Sequence, residues 1–247
     1  MVTYKHDTIV PFKDSGLTKK QQVAEMFDRI AFRYDFLNRF LSAGIDVYWR
    51  KRAIRELLEI NPQLILDVAT GTADMPVMMI KYLKPKKIIG IDISDGMLDI
   101  GTKKINKLKL DNQVELQKGD SEAINFPDNS FDAITVAYGV RNFEHLEKGL
   151  QEMLRVLKPT GKLIVLEFSQ PKNYFFKRLC DLYFKFITPG VGRLISKNKD
   201  AYQYLNKSVK AFPEGNDFID ILKKTGYADP YYKALSLGIC TIYCAGK

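Results

Sequence analysis

From residue 64 onward the chain alternates short apolar runs with stretches of helical periodicity, and this alternation leaves few folds open. The runs are LILDVA (64–69), KIIGID (87–92), VELQK (114–118), FDAITVA (131–137) and GKLIVLEF (161–168), with helices expected near 74–83, 95–109 and 144–157. Repetition of strand and helix demands a mostly parallel, doubly wound α/β sheet. Such sheets hold ligands at the carboxyl ends of their strands. Upstream, residues 18–60 read as helices: Val23, Met26, Phe27 and Ile30 recur at helical spacing, and so do Trp49, Ala53, Leu57 and Leu58. Past Pro171 the alternation stops. An aromatic and basic stretch over 174–210 precedes a helix over 215–225 and two strand-like runs, PYYKALS and GICTIYCA, which meet at Leu237 and Gly238 and should pair antiparallel. Seven strands follow, the last pair a hairpin. A single domain over 1–247 is expected, with helices over 18–60, the ligand-binding sheet over 64–170, a helical lid and substrate region over 171–227, and the hairpin over 228–247.

The 247 residues suit one compact domain with decorations, and 46% hydrophobic with 27% charged residues excludes disorder, collagen and a disulfide scaffold. No apolar run approaches the roughly 18 residues of a spanning helix. The start, with His6, Asp7, Pro11 and Lys13, lacks the apolar core of a secretory signal, which points to the cytosol. Cys240 and Cys244 share a strand-like run and would lie about 13 Å apart, beyond the roughly 7 Å reach of a disulfide, so both are expected reduced and buried. His6 and His145 are the only imidazoles, and neither has cysteine or carboxylate partners at ligand spacing. No metal site is expected.

The loop after the first run, LDVATGTAD (66–74), contains one glycine, Gly71, where a dinucleotide fingerprint needs three. Asp67 and Asp74 place negative charge where a pyrophosphate would sit, with no Lys or Arg close in sequence to offset it. A ligand with a positive end suits the loop better, and S-adenosylmethionine carries both an ammonium and a sulfonium. A plain tight turn is the competing reading of this loop. Asp92 ends the second run, where a carboxylate can accept from both ribose hydroxyls; Ser94 or Asp95 already serves as the cap of the next helix. Asp120 ends the third run, placed to accept from an exocyclic adenine amine, and the Ser121 amide can donate to a ring nitrogen. Asp128, Asn129 and Ser130 read as a turn. Thr72, Asp92 and Asp120 at three successive strand ends are more specific together than any one alone.

Four segments narrow the choice further: MFDRIAFRYDFLNRFLSAGIDVYWR (26–50), YGVRNFE (138–144), RVLKPTGKLIVLEFS (155–169) and YLNKSVKAFPEG (204–215). Together they resemble the menaquinone and ubiquinone biosynthesis C-methyltransferases, the MenG/UbiE family, from about residue 20 to the end. Leu37, Asp46 and Thr160 depart from that pattern, which has Met, His and commonly Gly there. The resemblance implies a Rossmann-like class I methyltransferase with N-terminal helices and a helical lid, its last strand antiparallel. It also implies methyl transfer from S-adenosylmethionine to a ring carbon of a polyprenylated quinol, typically demethylmenaquinol to menaquinol, with the benzoquinol step of ubiquinone synthesis as the alternative. Cofactor contacts carried over by position are Thr72, Asp92, Asp120 and Ser121, with Gly71 giving backbone room and Asp67 the charge at the loop.

The reduced quinol should be the substrate, because a hydroxyl that shares its proton pushes electron density onto the ring. Arg141 as a fixed cation and Asn142 as a ligand of the ring oxygen are the expected catalytic residues; a salt bridge from Arg141 to Glu144 or Glu167 is the structural alternative. By the same resemblance Tyr34 would touch the cofactor or ring and Asp35 would assist proton removal, whereas Phe27, Phe36 and Trp49 read as helix packing. His145 is expected to face solvent. A polyprenyl substrate implies a peripheral contact with the inner face of the cytoplasmic membrane. Phe175, Leu179, Leu182, Tyr183 and Phe186, on one side of a candidate helix with basic residues around them, are the expected face, with packing of that helix onto the sheet as the alternative. The resemblance leaves room for a homodimer. The net charge of +9 also raises a nucleic-acid methyltransferase, but Lys84, Lys86, Lys87, Lys103, Lys104, Lys107 and Lys109 are better explained as a solvated face, so no nucleic-acid partner is expected. A non-enzymatic lipid or nucleotide carrier is the third class.

Overall fold

The computed structural model describes residues 4–171, 173, 174, 176, 178 and 199–247. Its strands are β1 (Leu64–Val68), β2 (Lys87–Asp92), β3 (Val114–Lys118), β4 (Phe131–Ala137), β5 (Leu157–Phe168), β6 (Ala228–Leu235) and β7 (Cys240–Gly246). They form one sheet in the order β3-β2-β1-β4-β5-β7-β6. The first five run parallel, while β7 is antiparallel to both β5 and β6. This is the expected seven-stranded α/β architecture. Strand order reverses direction between β1 and β4, so their carboxyl ends open a crevice at the switch point.

Alternate strand residues feed two different cores, as a period of two requires. Leu66, Ile134, Leu163 and Tyr243 point into one layer with Leu150 and Leu222. Ile65, Ala133, Ile164 and Ile242 point into the other with Ala53 and Met79. The helices supplying these layers are α1 (Lys19–Leu41), α2 (Ile45–Arg55), α3 (Asp74–Leu83), α4 (Asp95–Lys107), α5 (Leu146–Val156), α6 (Lys199–Ala211) and α7 (Asn216–Thr225). Cys240 and Cys244 on β7 are buried free thiols.

Most boundaries fall within two residues of the sequence reading, and two of the differences have a clear tertiary cause. The fifth strand begins at Leu157, four residues early, because Leu157 pairs with Phe131 before a register shift brings Lys162 opposite Ala133. The helix expected from 144 begins at Leu146, since the amides of Glu144 and His145 donate to Glu122 Oε1 at 3.0 and 2.9 Å instead of entering the helix. β6 accommodates Pro230 because it is an edge strand.

Helix α1 lies across the carboxyl side of the sheet and is held at several points. Thr18 and Gln21 form a capping box at its start. The Lys19 ammonium donates to the carbonyls of His6 and Phe143 at 2.7 and 2.9 Å. Farther along, Asp28 accepts from Ser94 Oγ at 2.6 Å and from the Gly96 amide at 2.9 Å. Ser94 caps α4, as expected, so the Asp28 carboxylate sits at the positive end of that helix, where a negative charge is favoured. Tyr204 of α6 packs on Val23 and Met26 of α1. The expected lipid-facing residues Phe175, Leu179, Leu182, Tyr183 and Phe186 lie outside the described residues.

Gly149 inside α5 shows how tightly this side is packed. A Cβ there would stand 2.6 Å from Cδ2 of the buried Phe143 ring. Alanine gains up to about 1 kcal/mol in helix propensity, but overpacking costs about 1–3 kcal/mol. Gly149→Ala is therefore expected to lower unfolding free energy in urea by about 1 kcal/mol, the opposite sign from an exposed helical glycine.

Candidate active site

The crevice forms a cavity of about 650 Å³, including its open mouth, at the carboxyl ends of β1 to β4. Each wall comes from a different strand end. The β1 loop supplies Ala69 and Gly71; β2 supplies Asp92; β3 supplies Asp120 and Ser121; and the β4 end supplies Tyr138 and Asn142. Helix α1 supplies the roof with Lys20, Val23, Phe27 and Tyr34.

The loop after β1 is built around Asp67. Its carboxylate is 1% exposed and accepts from the hydroxyls of Thr70, at 2.7 Å, and Thr135 of β4. Burial pushes the acid up to about 6, against the lowering effect of those two hydroxyls. Above this anchor Ala69, Gly71 and Ala73 all take positive φ, at 54°, 56° and 64°. The turn directs the Gly71 amide onto Asp92 Oδ2 at 2.8 Å, and a Cβ on Gly71 would meet only open space. Asp92 also accepts from the Ser94 amide at 2.9 Å, while burial raises its pKa.

This arrangement corrects the charge argument for the loop. Asp67 does not line the cavity; it is consumed inside the turn. Asp74 is neutralised by Lys104 at 2.6 Å, a partner 30 residues away in sequence. The negative walls are instead Asp92, Asp120, Glu122 and Glu144, facing Lys20. Lys20 Nζ lies 2.6 Å from Asp120 and 3.4 Å from Glu122. Glu122 is buried and also meets His145 Nδ1 at 2.9 Å, which leaves the His145 ring half exposed, as expected. Lys20 and Glu122 were missed in the sequence. Glu122 adjoins the Asp120–Ser121 pair and could have been included, but nothing local marks Lys20, which arrives from 100 residues upstream.

The expected catalytic residues separate. Tyr34 and Asn142 line the cavity; Arg141 and Asp35 do not. Arg141 is 5% exposed, and its guanidinium donates to Glu167 Oε1 at 2.7 Å and to the Tyr138 carbonyl. The structural alternative, the salt bridge to Glu167, is what forms. Asp35 is occupied by Thr72 on one oxygen and by Lys104 at 2.7 Å on the other, which also removes the Thr72 hydroxyl from the cavity wall. Tyr34 sits edge-on to Phe27 at 5.9 Å. Burial raises its pKa, while its bond with Asn38 and the charges of Arg141 and Arg50 oppose the rise. Asn142 donates from Nδ2 to the Tyr138 carbonyl at 3.3 Å, and its Oδ1 is buried without a hydrogen-bond partner. Trp49 is core, as expected, whereas Phe36 is exposed. Asp46, where the resembled pattern has His, forms a buried ion pair with Arg50 and accepts from Arg39 Nη1 at 3.0 Å.

A sequence model of the ubiE/COQ5 methyltransferase family matches residues 16–247. The chain belongs to that family. It is 43% identical over 246 residues to the demethylmenaquinone methyltransferase of Bacteroides fragilis, covering 100% of both chains. It is 40% identical over 233 residues to the ubiquinone/menaquinone biosynthesis C-methyltransferase UbiE of Geobacter sulfurreducens, covering 94% of this chain and 91% of that one. Among solved structures, an S-adenosylmethionine-dependent methyltransferase from Thermotoga maritima superposes with a TM-score of 0.60 at 19% identity, covering 90% of this chain and 99% of that chain. That last likeness places the fold among class I methyltransferases.

The family is S-adenosylmethionine-dependent, and the cavity residues fit that donor. Carboxylates at two neighbouring strand ends and the open space at Gly71 suit a polar, cationic nucleoside better than a pyrophosphate. Among the described residues no group of His, Cys, Asp or Glu could hold a metal ion.

Two predictions test the buried charges. Arg141→Met leaves Glu167, which is 0% exposed, without its cation and should cost about 3–5 kcal/mol of stability; adding Glu167→Gln should restore part of it, read from urea denaturation of both variants. The Asp67 acid titrates at 3.8 in the unfolded chain and about 6 in the folded one, so folded protein keeps a proton that unfolded protein loses. Its contribution to stability is therefore full below 3.8 and declines as pH rises toward 6. Asp67→Asn should flatten that part of the pH–stability curve, measured by thermal melts across pH 4 to 7.

Proposed function

We propose that this protein transfers the methyl group of S-adenosylmethionine to a ring carbon of a polyprenylated quinol, converting demethylmenaquinol to menaquinol. The observation that carries the reading is a single cavity lined both by carboxylates, Asp92 and Asp120, and by aromatic rings, Phe27, Tyr34 and Tyr138, with Asn142, whose Oδ1 has no partner, in the same wall. The names of the full-length relatives support the same substrate class. When bound, S-adenosylmethionine supplies an electrophilic methyl carbon on sulfonium. Asp92 would hold the ribose hydroxyls, and Asp120 with the Ser121 amide would hold the adenine edge, once Asp120 shares its contact with Lys20.

Asn142 Oδ1 accepts the hydrogen of the quinol hydroxyl beside the reacting carbon. That bond shifts electron density into the ring and fixes which carbon faces the donor. Tyr34 and Tyr138 wall the ring from water, so methyl transfer proceeds by alignment in a dry pocket. Arg141 acts as a positioning residue: its charge, held by Glu167, favours negative charge building on the ring oxygen, and its bond to the Tyr138 carbonyl shapes the wall. Asp35 positions Thr72 and Lys104. The ring hydrogen then leaves as a proton to water at the open mouth of the cavity, and an oxidised quinone ring, which lacks the electron-donating hydroxyl, should be inert.

The UbiE relatives favour a second reading, in which a benzoquinol is also accepted. We place the protein at the cytosolic membrane surface; no described helix is long and apolar enough to cross a bilayer. Purified enzyme incubated with S-adenosylmethionine and each reduced quinol is expected to give a naphthoquinol one methyl heavier by mass spectrometry. Failure with every quinol would end the proposal. Asn142→Ala is expected to lower kcat about tenfold, one hydrogen bond of roughly 1.4 kcal/mol, with the calorimetric Kd for S-adenosylmethionine within a few-fold of the parent.

A further inference from the structure

We propose that the outward face of α1, formed by Phe32, Phe36 and Phe40, is the surface by which the enzyme docks on an anionic lipid bilayer. The inference rests on the lipid-borne substrate proposed above and names the surface that meets the lipid. The three rings are 69%, 58% and 48% exposed. Spaced four residues apart, they fall within about 80° of one another around the helix. Phe36 stacks on Phe40 at 6.0 Å, and the Arg33 guanidinium covers the Phe32 ring at 4.8 Å. Six of the thirteen large apolar side chains left exposed by the described residues lie between Phe32 and Tyr48, so this apolar surface is concentrated rather than scattered.

Charge identifies the occupant. Around these rings α1 exposes Arg29, Arg33 and Arg39, of which Arg29 pairs with Glu25 and Arg39 with Asp46, on a chain whose net charge is +9. Aromatic rings among arginines match an interfacial helix, its rings at the acyl boundary and its cations among anionic headgroups. A second copy of the chain on this face would oppose Arg33 to another arginine-rich surface, which disfavours a dimer here. The inner face of the same helix lines the cavity through Phe27 and Tyr34. A bilayer against the outer face thus stands about one helix diameter, roughly 10 Å, from the reacting end.

The test uses the full-length protein and vesicles of phosphatidylcholine with and without phosphatidylglycerol. Parent protein should co-sediment with the anionic vesicles in a salt-sensitive way. The Phe32→Ser/Phe36→Ser/Phe40→Ser variant should partition at least tenfold less, keep the parent's mass in sedimentation velocity, and retain kcat/KM within twofold on a short-tailed, water-soluble quinol while losing activity on quinol embedded in vesicles. Should that variant be unstable, Phe36→Trp supplies the readout: its fluorescence should be quenched by brominated-chain lipids above the Trp49 background. Unchanged sedimentation of the triple variant, absence of quenching, a drop in oligomeric mass, or strong hydrogen-exchange protection of 32–40 without vesicles would each overturn the proposal. Inactivity of the parent on the short-tailed quinol would instead overturn the substrate reading and leave the vesicle result to stand on its own.

Discussion

A buried carboxylate organises this protein. Asp67 stands on β1 in register with Thr135 of β4, where the strand order reverses, and takes hydroxyl bonds from the loop and from that neighbouring strand. Those bonds compensate part of the cost of placing an acid in the interior and close the loop into a turn with three left-handed residues. The turn sends the Gly71 amide to Asp92, so the shape of the first strand end fixes the carboxylate of the second. Without this chain of contacts the strand ends would still adjoin one another, but their polar groups would have no common focus.

The electrostatics of the cavity come from a division of labour among acids. Asp67 and Asp74 are satisfied by hydroxyls and by Lys104, and contribute shape. Asp92, Asp120 and Glu122 face the cavity, where Lys20 is the counter-charge from the roof. Because a donor with a positive end must take over part of that pairing, ligand binding and the seating of α1 are linked through the same carboxylates. The roof helix is itself two-sided, with Phe27 and Tyr34 inward and Phe32, Phe36 and Phe40 outward, so one element connects the reacting end of the cavity to whatever lies beyond the protein surface.

Much of the fold was legible because strand and helix periods differ. The five parallel strands, their order of appearance and the terminal hairpin followed from runs such as KIIGID and FDAITVA, and Ser94 was readable as a cap. The boundaries that slipped did so through tertiary contacts. The amides of Glu144 and His145 were taken by Glu122, and Leu157 was drawn into register with Phe131. Asp92, Asp120, Ser121, Tyr34 and Asn142 were readable as cavity residues because each stands at a strand end or in a family-specific segment.

By itself the sequence determined which residue types stand at each strand end, and so which polar groups gather near the crevice, because strand ends in a parallel sheet converge whatever the rest of the chain does. Only the tertiary structure decided which charges remain free. Arg141 and Asp35 looked available in one dimension and are occupied by Glu167 and by Lys104 and Thr72 in three. Lys20 showed no sign of function until folding set it 2.6 Å from Asp120. The physical reason is that ion pairing depends on distance in space, and the partners here are separated by 26 to 100 residues of chain that carry no record of the encounter.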